Sequence, residues 1–240
     1  MTPADTDDDI KPATGDYDSD DSDHLRILKP HPLFLEMESL GDNVSFQDIF
    51  GNDQPVEIEV GSGKALFLRQ ATQARPQHNF LGIEIIRKYA RHGADRLKNI
   101  NASNVKILPG DALRFLKKVP DQSVSTVHIY YPDPWWKRKH HKRRVFTTDF
   151  VTDVQRILKP GGQFLIATDV GDYYEHVLML MSEFKLFQTL PSEELNQPSH
   201  DLDYLTNFER KFRKQGKPVY RVSYQLVSSS ANISGTNAGN

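Results

Sequence analysis

The sequence predicts an α/β fold: a mostly parallel sheet with helices on both faces. Three observations point to it. Short apolar runs alternate with longer stretches of helical spacing from residue 56 to residue 184. Almost every run is followed at once by glycines or by an acid, the place where parallel sheets bind ligands. The alternation has no internal repeat, so the folded part of the 240 residues is one domain rather than two.

Taken in order, VEIEV at 56–60 is the first strand, and KALFLRQATQAR at 64–75 is a helix with Ala65, Leu66, Leu68 and Ala71 as its apolar positions. FLGIEI at 80–85 is the second strand. Residues 87–100 are helical, with Tyr89, Ala90, Ala94 and Leu97 near helical spacing. VKIL at 105–108 and DALRFLKKV at 111–119 repeat the unit, and VSTVHIYY at 124–131 is a long apolar strand. TTDFVTDVQRIL at 147–158 is a helix ended by the breaker KPGG, QFLIATD at 163–169 a strand, and YYEHVLMLMSEF at 173–184 a helix.

Composition sets the boundaries. Residues 1–23 hold nine Asp and one Lys, a charge of −8, so the net −2 of the whole chain leaves +6 on the remainder. Residues 1–24 are expected to be a disordered acidic tail, 25–228 the folded domain, and the Ser/Gly/Asn-rich 229–240 a second disordered tail. No apolar run approaches the roughly 18 residues of a membrane span, and the N-terminus has no basic region followed by an apolar stretch. There is no cysteine, which excludes disulfides, thiolate catalysis and cysteine metal ligands and fits a cytoplasmic protein. His140 and His141 are adjacent with no third ligand evident, so no metal site is expected.

EVGSGKA at 59–65 places Gly61 and Gly63 after the first strand, either as a simple turn or as a loop whose backbone approaches a ligand. A dinucleotide fingerprint requires a glycine at position 66, which is Leu66 here. Glu84 lies 25 residues after Glu59 and ends the second strand, where a carboxylate can accept both ribose hydroxyls. Asp111 can accept an adenine amino group or cap the helix that follows it, and the two roles are compatible. No Lys or Arg stands within EVGSG to neutralise a pyrophosphate. Acids suit a positively charged adenosine ligand without phosphates, and S-adenosylmethionine is one.

YYPDPWWKRKHHKRR at 130–144 sets Asp133 between two prolines at the end of the fourth strand. Both tryptophans of the chain follow, either stacking on a base or packing the turn. Residues 137–144 then hold six Lys/Arg and two His, either a solvated surface or a grip on nucleic-acid phosphates; their concentration beside an acid-bearing strand end favours the grip.

The chain resembles the bacterial tRNA (guanine-N7-)-methyltransferase family over roughly residues 55–225, through EIEVGSGKA, GIEIIRKYA, GDALRFL, YYPDPWWKRKHHKRR and TNFERKFRKQGKPVY in that order. The resemblance implies a Rossmann-like class I methyltransferase with a mostly parallel seven-stranded sheet, S-adenosylmethionine as methyl donor, and guanosine 46 of the tRNA variable loop as target. It implies Glu59, Glu84, Asp111 and Asp133 as cofactor contacts, with Asp133 also catalytic. Lys137, Asp169, Thr206, Asn207, Phe208 and Glu209 match the substrate contacts. Lys139, His140, His141, Lys142, Arg143 and Arg144 match the segment that meets RNA. Thr206 and Glu209 also have the spacing of a capping box before RKFRKQG. Ala65 stands where the family often has a third glycine, and a small side chain there should preserve close approach. Residues 25–40 lack the arginine-dense arm of some members. Two competing functions remain compatible with these residues: a methyltransferase with another substrate, and a Rossmann-like shell that binds RNA without catalysis.

Overall fold

A computed structural model describes residues 30–134, 145–191, 215–216 and 218–227. Among them, seven strands form one sheet in the order β3-β2-β1-β4-β5-β7-β6. The strands are β1 (Val56–Val60), β2 (Asn79–Glu84), β3 (Val105–Pro109), β4 (Val124–Tyr130), β5 (Leu158–Thr168), β6 (Phe187–Thr189) and β7 (Tyr220–Leu226). The first five are parallel; β7 runs antiparallel to β5, and β6 antiparallel to β7. The helices are α1 (Phe46–Phe50), α2 (Leu66–Ala74), α3 (Arg87–Asn99), α4 (Ala112–Leu116), α5 (Thr148–Ile157) and α6 (Gly171–Met181).

Period-two alternation divides the core. On β1, Val56, Ile58 and Val60 join the larger apolar cluster with Phe115, Phe150, Phe164 and Tyr173. Glu57 and Glu59 therefore point to the other face, where Phe67, Leu68 and Ala71 of α2 and Ala90, Ala94 and Leu97 of α3 make a second cluster. Side-chain caps set two helix starts: Thr147 accepts the Phe150 N–H at 3.3 Å, and Asp111 accepts the Leu113 N–H at 2.8 Å.

Helices α4 and α6 end earlier than expected, at Leu116 and Met181, and two further differences have a clear cause in the chain. Helix α2 begins at Leu66 rather than residue 64, because Gly61, Gly63 and Ala65 take positive φ of 79°, 52° and 58° and keep the loop out of helical conformation. The KPGG segment does not separate a helix from a strand beginning at 163. Leu158 is already extended, and β5 runs through the segment. Its irregularity appears as a register shift instead: β5 advances from Leu158 to Gln163 while β4 advances only from Val124 to Thr126. The short β6 and the antiparallel β7 follow no run singled out in the sequence; they complete the seven strands that the resemblance implies.

Candidate active site

The strand ends meet where the sheet order reverses. Strand β1 lies between β2 and β4. Val60 is level with Ile83 on one side and Ile129 on the other, and Tyr130 is level with Ala167 of β5. Gly61, Glu84, Asp133 and Asp169 therefore leave the sheet along one edge, over the crevice such a reversal creates.

Glu84 organises the loop. Its Oε2 accepts the Gly63 N–H and its Oε1 the Ile86 N–H, both at 2.8 Å. The Gly61 and Ser62 N–H groups donate to the Ile83 carbonyl at 2.9 and 3.0 Å, so the glycine loop is pinned to the end of β2. A Cβ at Gly61 or Gly63 would meet nothing within 4 Å. Glycine is needed here for its left-handed backbone, and the loop borders open space.

Glu59 is only 3% exposed, and its Oε2 has no hydrogen-bond partner among the described residues. Burial pushes its carboxyl well above the usual range, and Glu84 adds to the rise. Burial also raises Glu84; the Ile86 and Gly63 N–H groups restrain the shift, and Asp133 reinforces it. Asp133, on the surface past β4, is raised by partial loss of hydration. Tyr131, with φ +52°, turns the chain out of β4 ahead of Pro132 and Asp133. Three carboxylates thus gather around one crevice, each with its proton affinity raised. An unpaired buried carboxylate is expensive, and the arrangement is suited to a cationic ligand.

Asp111 realises the capping role, and its carboxylate retains a second oxygen for another donor. Asp169 follows β5, half-buried, beside Thr168, whose Oγ1 accepts the Val170 N–H at 3.2 Å. Lys137, Lys139, His140, His141, Lys142, Arg143, Arg144, Thr206, Asn207, Phe208 and Glu209 lie outside the described residues, as do Trp135 and Trp136.

Two features escape a reading of the sequence alone. Ile85 is 70% exposed directly after Glu84 and offers an apolar surface beside the carboxylate. Its signal is present: GIEIIRK continues apolar past the strand end. The second feature is a buried network around Glu57. Its carboxylate accepts Arg75 Nε and Nη2, each at 3.0 Å, His78 Nδ1 at 2.7 Å and His128 Nε2 at 2.7 Å. Burial acts to raise Glu57, but the bonds from His128, Arg75 and His78 outweigh it and hold the carboxyl below its ordinary value. Burial lowers the His128 pKa, against the pull of Glu57. In the neutral ring, Nε2 carries the proton and Nδ1 accepts the Tyr130 hydroxyl at 2.8 Å. Strand alternation predicts that Glu57 and Glu59 share a face. Only the folded chain shows that Glu57 is held by three side chains while Glu59 Oε2 has no partner among the described residues.

Residues 53–222 match a family model described as "Putative methyltransferase". The chain is 47% identical over 216 residues to a tRNA (guanine-N(7)-)-methyltransferase of Rhodopirellula baltica, covering 84% of this chain and 79% of that one. It is 32% identical to the enzyme of the same name from Hydrogenovibrio crunogenus, covering 77% of each. In fold it is similar to a SAM-dependent methyltransferase from Aquifex aeolicus, with a TM-score of 0.50 at 12% identity, covering 78% of this chain and 92% of that one. With these matches and a seven-stranded Rossmann-like sheet, the chain belongs to the tRNA (guanine-N7-)-methyltransferase family.

Proposed function

We propose that this protein transfers a methyl group from S-adenosyl-L-methionine to N7 of guanosine 46 in the variable loop of tRNA, giving 7-methylguanosine. The observation that carries the reading is the buried Glu59, whose Oε2 has no partner among the described residues, beside other acids of raised pKa at the sheet's reversal point. Among the described residues no cation offsets these acids, and the donor brings a sulfonium and an ammonium. The glycine loop borders open space, Glu84 keeps lone pairs for ribose hydroxyls, and Ile85 offers an apolar face to adenine. An RNA-binding shell without catalysis has no use for a buried acid of this kind.

When bound, the donor supplies an electrophilic methyl: the N7–C bond forms, the S–C bond breaks, and positive charge passes from sulfur to the purine. Guanine N7 carries no proton, so its lone pair attacks without a base, and the protein's contribution is placement. Asp133 is positioned to accept hydrogen bonds from the N–H edge of guanine and to offset the charge that develops on the ring. Asp169 and residues 206–209 supply further contacts to the base or ribose, and residues 137–144 hold the phosphates.

The test is incorporation of labelled methyl into tRNA carrying G46 and into the same tRNA with A46. Incorporation into the first only is expected; equal incorporation excludes position 46. Asp133→Ala should lose activity by about 10²–10³-fold with the fold and cofactor binding retained, and full activity in this variant overturns the catalytic assignment.

A further inference from the structure

Helix α3 (Arg87–Asn99) carries Arg87, Lys88, Arg91, Arg96 and Lys98 against the single acid Asp95. Internal bonds account for part of this charge. Arg87 Nη2 meets Glu36 Oε1 at 2.7 Å. Asp95 is shared between Arg91 at 3.7 Å and His31 at 3.3 Å. Two cations beside them are not absorbed. Lys64 Nζ stands 5.7 Å from the centre of the Tyr89 ring, and Arg96 Nη1 reaches only the Lys64 carbonyl, at 3.5 Å. Neither has a carboxylate partner among the described residues. The exposed His92 lies in the field of both; partial burial, then Lys64, Lys88 and Arg96, push its imidazole pKa down against the pull of Asp95.

The position of this group matters as much as its charge. A Cβ at Gly93 would fall 2.9 Å from Ala65 Cβ and 3.3 Å from the Lys64 carbonyl carbon, so the missing side chain lets α3 press directly on the glycine loop. Lys64 itself follows Gly63, whose N–H is bonded to Glu84. The cations therefore border the crevice on the β2 side of β1. Strand β4 lies on the other side of β1, and in the sequence the basic segment 137–144 comes after it.

We propose that Lys64, His92 and Arg96 form a phosphate-contact surface for tRNA, flanking the crevice on the β2 side of β1 and additional to any contact made by residues 137–144. Crowded cations, two of them without a carboxylate partner among the described residues, are complementary to a polyanion, and a folded RNA presenting one base to the crevice must lay backbone on both sides of it. This inference rests on tRNA being the substrate.

The experiment measures tRNA affinity across about 50–200 mM salt, with methyl transfer in parallel, for the wild-type chain, Lys64→Gln/Arg96→Gln and His92→Gln. The double variant should bind tRNA more weakly at low salt. Its plot of log affinity against log salt should flatten by about 0.7–0.9 for each phosphate no longer neutralised, and the KM for tRNA should rise with kcat at saturating tRNA retained. A slope equal to the wild-type slope overturns the proposal. So does a rise in the KM for S-adenosylmethionine with an unchanged slope, which would assign Lys64 to the donor's carboxylate. His92→Gln should weaken binding most below the imidazole pKa, and a pH profile of affinity identical to the wild-type profile removes His92 from the surface. A wild-type chain that neither binds nor methylates tRNA removes the substrate reading itself, an outcome distinct from the others.

Discussion

At the residue scale the decisive contrast lies between Glu57 and Glu59, two positions apart on one strand face. Glu57 accepts hydrogen bonds from Arg75, His78 and His128, whereas the buried Oε2 of Glu59 has no partner among the described residues. Because the folded pKa of Glu59 is raised above its unfolded value, this group favours the fold most below the unfolded pKa, and that contribution is lost as pH rises through the folded pKa. A cationic donor prefers the ionised form. Its binding should therefore release a proton, and its affinity should climb with pH until the free-protein pKa of Glu59 is passed. Calorimetric titration of S-adenosylmethionine in two buffers of different ionisation enthalpy reads this directly, and equal heats in both would remove the linkage. Glu59→Gln should weaken donor binding by about 10–100-fold, the range of one charged hydrogen bond. It should also raise the stability of the free protein and abolish the proton release.

At the element scale, the crevice depends on how closely α3 can approach the glycine loop. Gly93 and Ala65 form that contact, and Ala65 holds a left-handed φ of 58° although it has a side chain. The small third position expected from the sequence thus serves both the turn and helix packing. Gly93→Ala would force a methyl against Ala65 and the Lys64 backbone, and over-packing of this kind costs about 1–3 kcal/mol. The displaced part is the loop that Glu84 pins. The KM for the donor should therefore rise together with a fall in denaturation midpoint, whereas Gly41→Ala, whose Cβ would meet only the Asn43 carbonyl oxygen at 3.9 Å, should change neither. An unaltered KM in a destabilised Gly93→Ala protein would separate the helix from the site. The element boundaries are legible in the sequence to within a few residues because periodicity reports burial: VEIEV is β1, and VSTVHIYY is β4 except for Tyr131, which turns out of it. KPGG misleads because breaker residues can be absorbed by a bulge when the neighbouring strand is already in place.

At the scale of the whole molecule, the sheet order brings together acids distant in sequence, and those at the strand ends are foreseeable because ligand sites of parallel sheets lie there. Which acid is unpaired, and which lysine and arginine lack a carboxylate, depends on side chains arriving from other elements, and no local pattern carries that information. Charge distribution is the property of the intact chain that the sequence does carry. Residues 1–23 contribute −8, so their removal takes the net charge from −2 to +6. Long-range attraction to a polyanion follows that total field rather than local contacts, and it acts mainly on association rates at low salt. A chain beginning at residue 24 should therefore associate with tRNA faster than the full chain. The difference should shrink as the Debye length falls to about 8 Å near 0.15 M salt, while dissociation rates and kcat stay equal. Stopped-flow association at several salt concentrations distinguishes this from a direct role. A salt-independent change, or one confined to dissociation, would mean that the acidic residues act through a specific contact rather than through the field.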